Sequence, residues 1–96
     1  MPTYVSLVRF TEQGIRGVKD SPARLDQAKK ALQGAGGELK AWYLALGVYD
    51  AIVVADAPSD EVVAKVLLQI GANGSVRTET MRVFTEPEYR KLIAGM

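Results

Sequence analysis

The stretch LALGVYDAIVV, residues 44–54, places two apolar runs on either side of a short turn. Apolar and aromatic side chains on both sides predict two strands, residues 39–46 and 50–57, joined as an antiparallel hairpin. Gly47 supplies the positive φ that such a turn needs. The hairpin therefore defines the centre of the fold, and its turn also carries a phenol and a carboxylate side by side.

A further strand is predicted near each end of the chain. Residues 4–10 alternate and are rich in β-branched and aromatic side chains, which favours a strand. Thr11 follows as the predicted cap of a short helical turn. Residues 75–84 form the predicted last strand. The hairpin is thus flanked in sequence by two more strands.

Two longer helices separate these strands from the hairpin. The first is predicted to begin with Ser21 as its N-cap and to end at the glycine pair 36–37. The second follows Ser59, carries acidic residues in its first turn and is predicted to end at Gly71. A short tail helix is predicted over residues 86–93.

The resulting order, β-α-β-β-α-β, is the ferredoxin-like arrangement of the α+β class. Right-handed crossovers place both long helices on one face of a four-stranded antiparallel sheet with strand order 4-1-3-2. The other sheet face has no cover, and the strand at 50–57 is apolar on both of its faces. We therefore expect one domain, residues 1–96, that forms a homo-oligomer, a dimer or higher, through this face.

Composition excludes several kinds of chemistry. The 96 residues include no cysteine and no histidine, which argues against disulfides, thiol nucleophiles, thiolate zinc sites and haem ligation. We predict no cofactor and no bound metal. Twelve basic and eleven acidic residues leave a net charge of +1, without a charged block that would favour nucleic acid or a membrane surface. A soluble cytoplasmic protein is predicted.

The predicted topology gathers polar side chains at one edge of the sheet. The end of the first strand, the hairpin turn and the start of the last strand meet there, which brings together Arg9, Thr11, Tyr49, Asp50, Arg77 and Thr78. One interpretation is structural: the carboxylate accepts backbone hydrogen bonds and the phenol packs over a neighbour. The other is a site for a small carboxylate or phosphate, held by two guanidiniums near a helix start.

Two further groups of residues have alternative interpretations. Arg77 and Glu79 share one sheet face, either as an ion pair or solvated edge of the outer strand, or as part of the edge site. Trp42 and Tyr43 are large neighbouring aromatic residues. They fit either a ligand pocket or a subunit interface, and the interface is favoured because aromatic residues are enriched there.

Three segments together resemble one known family. The segments YVSLVRFTEQG, LGVYDAIVVADAP and SVRTETMRVF, in this order, are similar to the GYD-domain family, called after the Gly-x-Tyr-Asp turn. The resemblance implies a ferredoxin-like fold of the dimeric α+β-barrel type and brings no established activity. A related turn occurs in the effector-binding domains of leucine-responsive-type regulators, where small molecules bind at subunit contacts.

Two functional hypotheses follow from these observations. The favoured one is a small homo-oligomeric module for binding a small molecule or for assembly. The alternative is a cofactor-independent α+β-barrel enzyme, of the oxygenase or isomerase type, with Tyr49, Asp50 or Glu79 as acid or base. Such an enzyme would need a concave apolar pocket with one of these carboxylates facing inward.

Overall fold

The computed structural model describes residues 1–96 and contains four strands and four α-helices. In chain order these are β1 (Thr3–Phe10), α1 (Glu12–Arg16), α2 (Ser21–Gly34), β2 (Glu38–Leu44), β3 (Ala51–Asp56), α3 (Asp60–Ala72), β4 (Val76–Val83) and α4 (Glu86–Ala94). A 3-10 turn, Val18–Asp20, connects α1 to α2.

The strands form one antiparallel sheet in the order β2-β3-β1-β4. This is the predicted order 4-1-3-2 counted from the opposite edge, and the α+β ferredoxin-like fold is confirmed. The long helices α2 and α3 contact each other and the outer strands β2 and β4. They form a single layer over the sheet.

The strand register determines which side chains share a face. Val5 of β1 lies opposite Val54 of β3 and Met81 of β4, so these three side chains project from the same side. Alternate residues of β1, among them Tyr4 and Val8, project from the other side, toward α2 and α3. We call the first side the open face and the second the helix face. As predicted, β3 is apolar on both.

Several predicted boundaries were wrong by one or two residues: β1 and β2 each start one residue earlier, β3 and β4 are each one residue shorter at both ends, and α4 ends one residue later. Three further boundaries were also wrong. Ser21 is the first residue of α2 and not its N-cap, because the preceding 3-10 turn runs directly into the helix and gives Ser21 a helical conformation. α3 continues through Gly71 to Ala72. β2 ends at Leu44, since the next residue leaves the strand and donates its backbone N–H to the Asp50 carbonyl at 2.8 Å.

The core between the helices and the sheet is sparse. Tyr4, Leu32 and Ala57 form its buried cluster, and only eight of the 96 residues are buried. The molecule exposes 6632 Å² and has a radius of gyration of 14.4 Å. A compact chain of this length would have a radius of gyration of about 12.5 Å. Much apolar surface therefore remains accessible.

Candidate functional site

The hairpin turn is fastened to β1 through one carboxylate. Asp50 Oδ2 accepts a hydrogen bond from the Phe10 backbone N–H at 2.8 Å, and the Asp50 N–H donates to the Val8 carbonyl at 2.8 Å. Gly47 has φ 125°, the positive value predicted for the turn. These contacts are the ones expected from the structural interpretation of the turn, in which the Asp50 carboxylate accepts backbone hydrogen bonds.

Thr11 is also engaged with the backbone. As the N-cap of α1 its hydroxyl accepts a hydrogen bond from the Gly14 N–H at 3.1 Å and donates to the Gly74 carbonyl at 2.5 Å. Gly14 lies so close to Ser75, the residue before β4, that an added Cβ would be 1.9 Å from the Ser75 carbonyl oxygen. Thr11 and Gly14 therefore hold the start of the helix layer against the start of β4.

The remaining edge residues form a polar cluster on the open face. The Arg9 guanidinium lies 4.8 Å from the centre of the Tyr49 ring, and the Tyr49 hydroxyl donates to Glu79 Oε2 at 2.9 Å. Arg77 lies directly opposite Arg9 in the register of β1 and β4. We call these four residues the edge cluster.

Neither arginine of the edge cluster has a carboxylate within 4.0 Å. Two like-charged guanidiniums on adjacent strands repel each other unless an anion lies between or beside them. Guanidiniums bind carboxylates and phosphates through paired N–H donors. Arg9 and Arg77 thus present guanidinium groups without a carboxylate partner, while Glu79 is hydrogen-bonded to Tyr49.

The predicted set of edge residues is thus divided by the fold. Contacts and register bring Arg9, Tyr49, Arg77 and Glu79 together, whereas Asp50 makes backbone contacts. Thr78 projects from the helix face, because it alternates with its two neighbours along β4. The two predicted aromatic residues also separate in this way, with Tyr43 on the open face and Trp42 on the helix face.

Beside the edge cluster, the open face is apolar across all four strands. Its apolar side chains come from every strand and are Val5, Leu7, Ala41, Tyr43, Ile52, Val54, Met81 and Val83. No helix covers them, since α2 and α3 lie on the opposite side. Tyr43 is 60% exposed and Met81 is 45% exposed. This is the uncovered apolar face that the sequence predicted.

A cavity of about 480 Å³ lies between the helix layer and the sheet. It is bounded by Val8 and Val53 on the sheet, by Ala28 on α2 and by Val66 on α3. The sequence analysis did not predict a cavity at this place. Small residues at facing positions, with alanines on both α2 and β3, were the available signal that the core would be incomplete.

Two side chains have displaced pKa values, and both lie outside the edge cluster. The pKa of Tyr4 is raised above its ordinary value by the hydrogen bond that its hydroxyl donates to the Asp60 carboxylate, and burial adds to this shift. The pKa of Glu88 is lowered by its hydrogen bond with the Thr85 backbone in the capping box of α4. Both pairs stabilise helix starts.

None of the helices has the length and hydrophobicity that a membrane-spanning segment requires. The structure also contains no group of three or more Asp, Glu, His or Cys side chains arranged to hold a metal ion.

One relative in sequence has a descriptive name. It is the glutamine synthetase and cystathionine beta-lyase binding protein of Thermus thermophilus, which is 32% identical over 82 residues, covering 84% of this chain and 86% of the relative. The Thermus protein is thus named for binding other proteins.

Solved structures share the fold at low sequence identity. A feast or famine regulatory protein from M. tuberculosis complexed with L-methionine aligns with TM-score 0.66 and 15% identity over 88% of this chain. This chain spans about half of that regulator, 51% of its length. A hypothetical protein from Pyrococcus horikoshii aligns with TM-score 0.57 and 22% identity, covering 90% of this chain and 93% of that one.

The family model described as GYD domain matches residues 4–93, nearly the whole chain. The match includes the Gly-x-Tyr-Asp turn and both strands that meet it at the edge cluster. Together with the relative of 32% identity, this establishes that the chain belongs to the GYD-domain family.

Proposed function

We propose that this protein is a homo-oligomeric binding module without catalytic activity, assembled through the open face of its sheet. The observation that carries the proposal is the continuous apolar surface on that face, which no element of the chain covers. Soluble monomers rarely leave so large an apolar patch in water, and a second copy with the same face is the simplest cover. The assembly expected is a dimer or higher, of the α+β-barrel type.

The total surface supports a second copy as the occupant. A monomer of 10.4 kDa is expected to expose roughly 5,400 Å², about 1,200 Å² less than the 6632 Å² of this chain. A stable interface of standard size buries about 800 Å² on each partner. The excess surface is therefore large enough for one such interface.

The tail helix α4 contributes to the same excess. It makes at most marginal contact with the other elements, and Tyr89, Leu92 and Ile93 are each at least half exposed. Isolated helices shorter than about 12 residues are marginal in water, even when a capping box fixes their first turn. Packing against a neighbouring copy would stabilise α4, so it is part of the proposed assembly surface.

A small anion is the ligand that the edge cluster suits best. Arg9 and Arg77 have no carboxylate partner, and the cluster borders the proposed subunit interface. Phosphate and small dicarboxylates should raise the melting temperature of the parent protein. Arg77→Gln should remove that increase, whereas Lys30→Gln on the exposed side of α2 should keep it. The site is rejected if no anion shifts the melt, or if both variants respond like the parent.

The enzyme alternative has less support. It required a concave apolar pocket with a carboxylate facing inward, and the cavity under the helices is lined by none of Tyr49, Asp50 and Glu79. The Thermus relative is named for binding glutamine synthetase and cystathionine beta-lyase, which favours a binding role. By extension, we propose that the assembled module of this protein binds enzymes as its protein partners. Co-sedimentation with purified glutamine synthetase tests this proposal.

One pair of variants tests the assembly. Val54→Asp places a charge at the centre of the open face, and burying it unpaired would cost several kcal/mol, roughly 3 to 5, so the assembly should dissociate. Leu68→Asp makes a similar change on α3, where the side chain is 75% exposed, and should leave the assembly intact. Size-exclusion chromatography with light scattering gives the masses, and circular dichroism verifies folding. Equal masses for the two variants would refute the proposed interface.

A further inference from the structure

The cavity under the helix layer has a strongly apolar lining. Hydrophobic residues make up 17 of the 26 that line it, and Arg24 is the one charged residue among them. Both terminal nitrogens of Arg24 already donate to backbone carbonyls, to Gly17 at 3.0 Å and to Gly14 at 3.2 Å. Two of its N–H groups are therefore engaged with the backbone, and the rest of the cavity lining is uncharged.

Its volume of about 480 Å³ is within the range of small-molecule sites, roughly 300 to 1,000 Å³. The fully enclosed residues that border the core are alanines, Ala51 and Ala57, and larger side chains such as Val66 stay slightly exposed. The apolar walls of this half-open cavity lack packing partners, and a domain of this size has little stability to spare. Occupation by a molecule would restore the missing contacts.

We propose that this cavity binds a neutral, mainly hydrocarbon small molecule, of about the size of naphthalene or somewhat larger. Apolar contacts with Val8, Val53 and Val66 supply the affinity. Ser6 and Thr78 place hydroxyl-bearing side chains on the sheet wall, where a single hydroxyl or carbonyl of the ligand finds polar neighbours. Anions are disfavoured, because burying a carboxylate is costly and the one cation at the lining, Arg24, is held by two backbone carbonyls. The site lies on the helix face and does not depend on assembly through the open face.

The test uses protein refolded from urea, so that any molecule carried over from the host is removed. 2-Naphthol is the neutral probe and 2-naphthoate is the matched anion. Trp42 is the only tryptophan in the chain and lines the cavity, so its indole N–H gives one NMR signal that reports on the site. We expect 2-naphthol to shift this signal saturably and to bind at least about tenfold more tightly than 2-naphthoate.

Two alanines of α2 provide a matched pair of variants. Ala28→Phe fills the cavity and should weaken 2-naphthol binding at least about tenfold while keeping or raising the melting temperature, because it adds apolar contacts. Ala23→Phe makes the same change on the exposed side of the helix and should bind like the parent. A Trp42 signal that does not shift at a high concentration of 2-naphthol would overturn the proposal. This holds whether the helices close onto the sheet or a neighbouring chain fills the cavity. Equal loss in both variants, or equal binding of 2-naphthoate, would overturn it as well.

Discussion

The two faces of the sheet are similarly apolar, yet only the helix face is covered by its own chain. On that face α1 is anchored through Thr11 and Gly14, and α3 is anchored through the hydrogen bond from Tyr4 to Asp60. Between these anchors a cavity remains. No helix covers the open face or is anchored to it, and the edge cluster lies at its border. An apolar pattern therefore indicates which side chains favour burial. How completely these side chains are buried depends on the elements that pack against them.

Breaking an anchor of the helix face should have the largest effect. Gly14→Ala places a Cβ against the Ser75 carbonyl oxygen, so α1 must move away from β4, at a cost of about 3 kcal/mol. Gly34→Ala, at the end of α2, meets no atom within 4 Å and should be neutral or stabilising by up to about 1 kcal/mol. Urea denaturation measures both. A Gly14→Ala variant as stable as the parent would show that α1 is not tightly anchored.

Substitutions of Asp50 test the hydrogen bond that fastens the hairpin turn to β1. Asp50→Ala leaves the Phe10 N–H without its acceptor and should cost about 1.5 kcal/mol. Asp50→Asn keeps an oxygen acceptor and should cost about 0.5 kcal/mol. Thermal melts separate the two outcomes. If Asn were as damaging as Ala, the charge of Asp50 would matter beyond this hydrogen bond, and the structural role assigned to it would be wrong.

The smallest effect is expected when the pH is raised and the hydrogen bond from Tyr4 to Asp60 is lost. The folded-state pKa of Tyr4 is raised, so this contribution to stability is fully present below about pH 10, the ordinary value, and is lost as pH rises through the higher folded pKa. Urea denaturation of the parent between neutral pH and pH 11 should therefore show a decline in stability at the alkaline end. Tyr4→Phe should show a weaker decline, and an unchanged one would mean that other groups cause it.

The fold followed from the sequence because its signals are local. The Gly47 turn, the Ser59 cap and the apolar periods of the strands each determine a short segment, and their order leaves one arrangement of the sheet. The boundary at Ser21 was misplaced because the 3-10 turn before it leads directly into α2 and gives Ser21 a helical backbone, which the Ser-Pro pattern does not reveal. The uncovered face was also predictable, since it follows from topology and alternation.

The candidate site was predictable only in part. Topology brought Arg9 and Arg77 to one edge, but side-chain geometry decided that Tyr49 would connect Arg9 to Glu79 and that Asp50 would accept a backbone hydrogen bond. The cavity was missed because its existence depends on the distance between the helix layer and the sheet. Neither periodicity nor composition determines that distance.

Sedimentation equilibrium of the unmodified protein at micromolar concentration tests the central claim most directly. Assembly through the open face predicts a mass of at least twice the 10.4 kDa of one chain, and the mass should not depend on the presence of apolar small molecules. A single species of 10.4 kDa throughout the concentration range would contradict the account, because the open face would then be stable in water without a partner.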